Sequence, residues 1–337
     1  MNDLQSKLAW FAKRKSEIDL EAQQNKGQVR RQDMWSRNYF KNPYLARATD
    51  DEFLARFCDV FHNQVDLDDQ GRISMRPVME NDAWMFQRWS HLLAEHGLRG
   101  GLTGDMMAAA NTPLDRYFED GEPSGIKLFR NVRDVEKSAL VKFSRREFIK
   151  SMYQHGKIRI APASAYADGN LLHAQHDLEV QRDFMIPTAE MLLKGFQHVK
   201  IEGQNYDISQ GDVPIIETVP NYYVYCMCRE IDRRLPTDFA SDAALVIHDP
   251  KQFQRRFFNA LREKLGGWDM RNGEVTYYDP YTDYKRHQVL EMTKHLRFYY
   301  QKEFRLLARP KQVIAHDLEP FFIEIGSLED ISTPHFL

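Results

Sequence analysis

Between Tyr299 and Leu307 the chain reads Tyr-Tyr-Gln-Lys-Glu-Phe-Arg-Leu-Leu, with polar side chains set among aromatic and aliphatic ones. A strand alternates its side chains between two faces. The spacing therefore predicts a β-strand with Gln301, Glu303 and Arg305 on one face and Phe304 and Leu306 on the other. A carboxylate fixed on a strand between hydrogen-bond donors can grip a sugar hydroxyl or stabilise a growing positive charge. Glu303 is the candidate for that task. An edge strand with a solvated polar face is the plainer reading of the same pattern.

Two further sets of residues could join it. The run 126–132 reads as a strand carrying Arg130, a planar cation suited to phosphate. After a second strand over 157–161, the turn 162–169 presents Ser164 and Tyr166. Arg130 on a surface acid, Tyr166 as a loop anchor and Ser164 bonded within its own turn are the plainer alternatives.

Other patterns lead less far. Asp66 to Ile73 matches the first half of a calcium loop, but the twelfth position is Pro77 where a bidentate Glu is needed. The spacing of His91 and His96 does not place both on one helical face. His173, His176 and Asp177 have metal-like spacing without a visible third ligand site. Cys226 and Cys228 alternate on one strand face and read as small buried residues, and three cysteines make a disulfide framework unexpected.

The elements that must hold these groups fall into two parts. With 337 residues the chain is long enough for two domains, and 42% hydrophobic with 28% charged residues is the balance of a globular protein. Residues 1–122 read as mainly helical. Apolar stripes with 3.6-residue spacing run through 50–61, behind an acidic start, and through 81–95. The Gly- and Pro-bearing stretch 120–125 marks the boundary. Residues 123–337 mix short strands and helices, an α+β pattern. Helix 144–155 is expected to be capped by Ser144 with Glu147 and stopped by Gly156, with Phe148, Ile149 and Met152 inward. Residues 222–228 read as a central strand, 243–248, 273–279 and 321–325 as further strands, and 252–264 and 289–296 as helices.

The formal net charge of −3 advertises no global basic field. No apolar run approaches the roughly 20 residues that span a bilayer, and the N-terminus lacks an apolar signal core, so a cytoplasmic location is expected. Local basic clusters with an aromatic neighbour remain: Arg30, Arg31, Trp35 and Arg37, and later Arg133, Arg145 and Arg146. Such clusters can hold a phosphate backbone and stack an unpaired base.

In order and strand placement, Arg130, then Ser164 with Tyr166, then Gln301 and Glu303 resemble the ADP-ribosyltransferase superfamily. That family carries an Arg or His on its first strand, a Ser- or Tyr-containing segment on a second, and a Glu on a later strand, often with Gln or Glu two positions before it. The ending over 301–305 also looks like bacterial toxins that ADP-ribosylate nucleic acids. The resemblance covers about residues 125–325, and Ala163-Ser164-Ala165-Tyr166 departs from the usual Ser-Thr-Ser.

The resemblance implies an ADP-ribosyltransferase-like domain on a mixed β-sheet over 123–337, with NAD as substrate and no metal. Arg130, Ser164 and Tyr166 would hold NAD. Glu303 would stabilise the oxocarbenium-like ribose, and Gln301 would orient the incoming nucleophile. It further implies a toxin acting on a base of single-stranded RNA or DNA, in a toxin–antitoxin or anti-phage setting. A neutralising antitoxin would restrain it, with the aromatic stripes of the helical region as a candidate docking surface. A protein-modifying transferase, an inert binding module of the same fold, and a metal-dependent nuclease built on His173, His176, Asp177 and Glu179 are the alternatives.

Overall fold

The computed structural model describes residues 2–77, 82–132, 138–201, 203–284, 289–312 and 317–337. The N-terminal part is helical, as its apolar stripes require. Helices α1 (Asn2–Gln24), α2 (Arg31–Lys41) and α3 (Asp50–Gln64) lead into a small hairpin, β1 (Val65–Leu67) with β2 (Ile73–Met75). Helices α4 (Ala83–His96), α5 (Gly104–Asp115) and the short α6 (Ser124–Leu128) follow. Thr49 and Glu52 form a reciprocal capping box at the start of α3. The calcium-like loop is the turn of the small hairpin, where Asp68 accepts from Arg72 and from the backbone of Gln70.

The aromatic stripes of this part are turned inward. Phe11, Tyr39, Phe40, Tyr44, Phe53, Met85 and Leu92 share one core with Leu296, and Tyr281 and Tyr299 pack against it. The helical layer thus completes its core with residues from the C-terminal part. The aromatic residues proposed as a docking surface are spent on internal packing.

The C-terminal part begins with β3 (Leu140–Ser144), α7 (Arg146–His155) and β4 (Lys157–Pro162). A 3-10 turn over Ala163–Ala167 carries Ser164 and Tyr166. Then come β5 (Gln181–Ile186), α8 (Ala189–Leu193), β6 (His198–Ile201), β7 (Gln204–Asp207) and β8 (Val213–Thr218). Strand β9 (Tyr223–Cys228) enters the centre of the sheet, followed by α9 (Leu235–Asp238), β10 (Ala243–Ile247) and α10 (Pro250–Lys264). The chain closes with β11 (Asp269–Glu274), β12 (Thr276–Tyr278), β13 (Thr293–His295), β14 (Glu303–Arg309), β15 (Phe321–Glu324) and β16 (Ser332–Phe336).

The main sheet runs β11-β14-β9-β3-β10-β16, with β4 and β15 attached at β9. The architecture is α+β. The expected mixed sheet is corrected: every described pairing in it is antiparallel, and the parallel pair β12–β13 stands apart. Helices α7 and α10 cover one face, where Ile149, Met152, Phe253, Phe257 and Leu261 meet Leu140, Tyr225, Leu245 and Leu306. Gly156 ends α7 with φ +65°, and a Cβ there would lie 2.1 Å from the Gly326 carbonyl oxygen, so only glycine fits.

Strand β9 explains the architecture of the site. On one side it pairs along its length with β14. On the other side its start pairs with β4, at Tyr223 and Val224, and its end with β3, at Cys228. Between these contacts the sheet opens. At the opening Lys142 Nζ donates to the Cys226 carbonyl at 2.8 Å, where no strand supplies a backbone donor.

Three sequence expectations fail locally. Residues 126–132 do not form a strand: Pro123 opens the helical turn α6, and Leu128, Phe129 and Val132 pack beneath β3. Ser144 ends β3 instead of capping α7, whose N-cap is Arg145. Residues 289–296 form a 3-10 turn and β13, not a helix. The last strand is β16, and β15 pairs with β4.

Candidate functional site

A cleft of about 530 Å³ lies at the opening of the sheet. Its wall carries Lys142 from β3, Cys226 and Cys228 from β9, Lys294 from β13 and Glu303 from β14. Tyr166, Glu179 and Gln301 complete the polar lining, and Arg145, Phe148 and Leu172 also line it. Phe148, expected inward on α7, is 56% exposed, so the amphipathic stripe hands one ring to the cleft.

Glu303 is the first residue of β14. Its backbone N–H donates to Tyr277 Oη at 2.8 Å. Its carboxylate is gripped twice: Lys294 Nζ lies 2.6 Å from Oε2, and Arg305 Nε donates to Oε1. The second arm of Arg305 reaches Glu179 Oε1 at 2.7 Å, and Arg182 Nη2 lies 3.2 Å from Glu179 Oε2. One guanidinium thus bridges two buried carboxylates, giving a separate donor of its planar fork to each.

The two carboxyls respond in opposite directions. Burial alone would raise Glu303, but Arg305 and Lys294 outweigh it and hold its carboxyl well below the usual carboxylate range. For Glu179 burial prevails over the arginines, and its carboxyl is raised. Lys294 stays charged despite burial because Glu303 and Glu179 face it. Burial pushes the Cys228 thiol up to about 12, so it is an unreactive neighbour.

Gln301 and Glu303 do not sit in one strand row. Gln301 ends a 3-10 turn over Leu296–Gln301, and Lys302 between them is left-handed with φ 44°. The register break still delivers both side chains to the cleft. Gln301 Nε2 donates to the Ala174 carbonyl at 2.8 Å, which fixes its amide. Tyr166 is held through its backbone, since the Asp177 N–H donates to the Tyr166 carbonyl at 3.0 Å.

The other expected cofactor residues are placed elsewhere. Arg130 is exposed, follows α6 and pairs with Glu122; it does not line the cleft. Ser164 Oγ accepts from Asn221 Nδ2 at 2.8 Å and is also outside the lining. Of the basic clusters, Arg30 pairs with Asp33, Arg37 with Asp19, and Arg146 with the carbonyl of Leu337, while Arg133 lies outside the described residues. Among the described residues no group of three or more His, Cys, Asp and Glu is placed to hold a metal ion. Glu179, part of the nuclease alternative, is taken by arginines instead.

Sequence reasoning missed Lys142 and Lys294, whereas Arg145 stood in a basic cluster expected to hold phosphate. Lys142 does leave a trace, because a lone lysine within the apolar run 139–143 is out of keeping with its neighbours, and it is half-buried. Among the described residues neither Lys142 nor Arg145 has an ion-pair partner within 4 Å. Burial lowers the Lys142 ammonium, and its Nζ sits 4.4 Å from the Tyr225 ring centroid.

The cleft therefore has a cationic side on β3 and the start of α7, a deeper carboxylate side on β14, and exposed apolar groups beside them. Such a site can hold an anionic ligand at one end and stabilise positive charge at the other. No family model, curated protein or solved structure matches the chain.

Proposed function

We propose that the chain is an ADP-ribosyltransferase that takes ADP-ribose from NAD and passes it to a base of single-stranded nucleic acid. The observation that carries this is the placement of Glu303. It is a buried carboxylate kept ionised by Lys294 and Arg305 on the wall of a cleft that also presents Tyr166 and two cations with no ion pair among the described residues. Cleaving the nicotinamide–ribose bond builds an oxocarbenium-like sugar, and a fixed anion stabilises it without reorganising. In this proposal Lys142 and Arg145 meet the pyrophosphate, the task first assigned to Arg130. Tyr166 stacks on the nicotinamide ring. Gln301 faces the acceptor.

Support for a nucleobase acceptor comes from Phe148 and Leu172, exposed beside Arg145 in the same cleft. Ring stacking next to a basic side chain suits an unpaired base. An enzyme of this kind would harm its host, so a neutralising partner belongs to the proposal. The test is incubation with labelled NAD and purified single-stranded RNA, single-stranded DNA or total protein. Label in nucleic acid, removed by nuclease, is the expected result. Label confined to protein would promote the protein-modifying alternative, and absence of NAD cleavage would remove the transferase.

A further inference from the structure

Glu179 is the charged group of the cleft that the proposed reaction leaves unassigned. It lies just before β5, is 2% exposed and lines the deep end with Glu303. Both of its carboxylate oxygens are held. Arg305 Nη2 donates to Oε1 at 2.7 Å, with Lys294 Nζ 4.0 Å from the same oxygen, and Arg182 Nη2 donates to Oε2 at 3.2 Å. Glu179 is thus a fixed charge.

The cations that hold it are placed unevenly. Arg305 and Arg182 are fully buried and do not line the cleft. Their other donors are spent inside the protein. Arg305 Nη1 donates to the Glu291 carbonyl at 2.8 Å, Arg182 Nη1 to the carbonyls of Leu178 and Gln181 at 2.7 Å, and Arg182 Nε to Thr293 Oγ1 at 3.0 Å. Among the described residues, the deep end therefore turns two carboxylates, Glu179 and Glu303, and one ammonium, Lys294, to the open volume. The other side turns Lys142 and Arg145 to it. The cleft is a dipole, negative at one end and positive at the other. With Glu303 alone, the deep end would set one carboxylate against one ammonium and show no net sign. Glu179 supplies the excess.

We propose that Glu179 makes the deep end select a cationic ring, so that the site takes the oxidised nicotinamide nucleotide and discriminates against the reduced one; this rests on the NAD-cleaving reading above. NAD and NADH share their pyrophosphate, riboses and adenine. The nicotinamide ring is positive in NAD and neutral in NADH. A fixed carboxylate in a partly desolvated wall acts on that difference, because a low local dielectric strengthens its field. NADH carries no cationic leaving group, so without this selection it would occupy the cleft unproductively. A buried ion cluster can also be purely structural, but that role does not distinguish the two nucleotides.

The experiment uses the full chain with NAD and NADH as probes. NADH binding is followed by its own fluorescence, and NAD binding by displacement of NADH read directly after mixing. Wild type is expected to bind NAD about tenfold or more tightly than NADH. Glu179→Gln should lose most of that preference by weakening NAD and leaving NADH nearly unchanged. Glu179→Asp, which keeps the charge, should retain it. Lys294→Gln removes the ammonium at that end and should move the ratio further toward NAD, which structural damage would not do. Equal binding of the two nucleotides by wild type would overturn the proposal. So would an intact preference in Glu179→Gln, an equal loss of both affinities there, or a fall of the ratio in Lys294→Gln. Should Glu179→Gln fail to fold, the wild-type ratio and the sign of the Lys294→Gln change decide. The parent reading is tested apart. A wild type with the preference that releases no nicotinamide removes the transferase and leaves the charge-selective site, whereas a protein that binds neither nucleotide removes both.

Discussion

Two of the regions that bury charge do it differently. At the joint between the helical layer and the sheet, arginines of the first part meet aspartates of the second. Arg56 and Arg88 both reach Asp279, Arg76 meets Asp232, and Arg116 meets Asp238. Asp279 and Asp232 are each outnumbered, since Arg234 also reaches Asp232. At the cleft Arg305 is shared by two carboxylates, and Lys294 and Arg182 complete the set. The joint uses charge to lock two layers together. The cleft sets two carboxyls of opposite tendency beside an open volume. Burial of an ion pair is by itself weak evidence for function. What separates the two regions is how the charges are wired: at the cleft Arg305 joins Glu303 and Glu179, which both line one open volume, whereas at the joint Asp279 and Asp232 each gather two arginines.

That difference can be broken at its strongest point by Asp279→Ala. It leaves Arg56 and Arg88 without their carboxylate, and removing one partner of a buried pair costs about 3–5 kcal/mol. Urea unfolding should show a loss of that order. A change within experimental scatter would mean that the joint is not held by this pair.

The next effect is on pH. Burial would raise Asp232, but Arg234 and Arg76 overcome it and bring its carboxyl to about 2. A folded carboxyl depressed below its unfolded value contributes stability that is present above the unfolded value, near 3.9, and lost as pH falls toward the folded one. Wild type should therefore lose roughly 2 kcal/mol from this group between about pH 4 and pH 2. Asp232→Asn should lack that part of the acid dependence. An unchanged acid limb in the variant would contradict the assignment of Asp232 to the joint.

At the cleft, Lys142→Met sharpens the contrast. Lys142 has a hydrogen bond to Cys226 and, among the described residues, no ion pair, so most of the stability should remain. NAD binding, measured by calorimetry, should weaken by about 1.5–3 kcal/mol through loss of a charged phosphate contact. Unchanged affinity would remove Lys142 from the ligand. Arg130→Ala should do least. Its pair with Glu122 is exposed on both sides, and such pairs are worth about 0–1 kcal/mol. A loss of NAD affinity in that variant would restore the role that its position in the fold denies it.

Much of the framework was legible because local chemistry and tertiary need agree there. Residues 222–225 are aromatic or β-branched, and the run they open becomes β9. Asp249 and Pro250 open α10, whose Phe253, Phe257 and Leu261 are buried as their spacing requires. The failures come where local pattern is ambiguous. Ile126, Leu128 and Phe129 fit a short strand as well as a helical turn, and the packing under β3 chose the turn. Lys302 in the left-handed region broke the supposed row of Gln301 and Glu303, which no residue type there announces. The ion cluster was invisible for a different reason. Glu179 lies 126 positions from Arg305, and only the sheet brings them together. Glu303 and Tyr166 were found by residue type and order, whereas Lys142 and Lys294 needed the fold.

The central claim is that Glu303 is the fixed anion of an NAD-cleaving site. The most direct measurement compares nicotinamide release from NAD by wild type and by Glu303→Gln, with the thermal unfolding of both recorded alongside. The variant keeps the size of the side chain and removes its charge. The account predicts release by wild type and a fall of about a hundredfold or more in a variant that still folds. Wild-type turnover in the folded variant would contradict it.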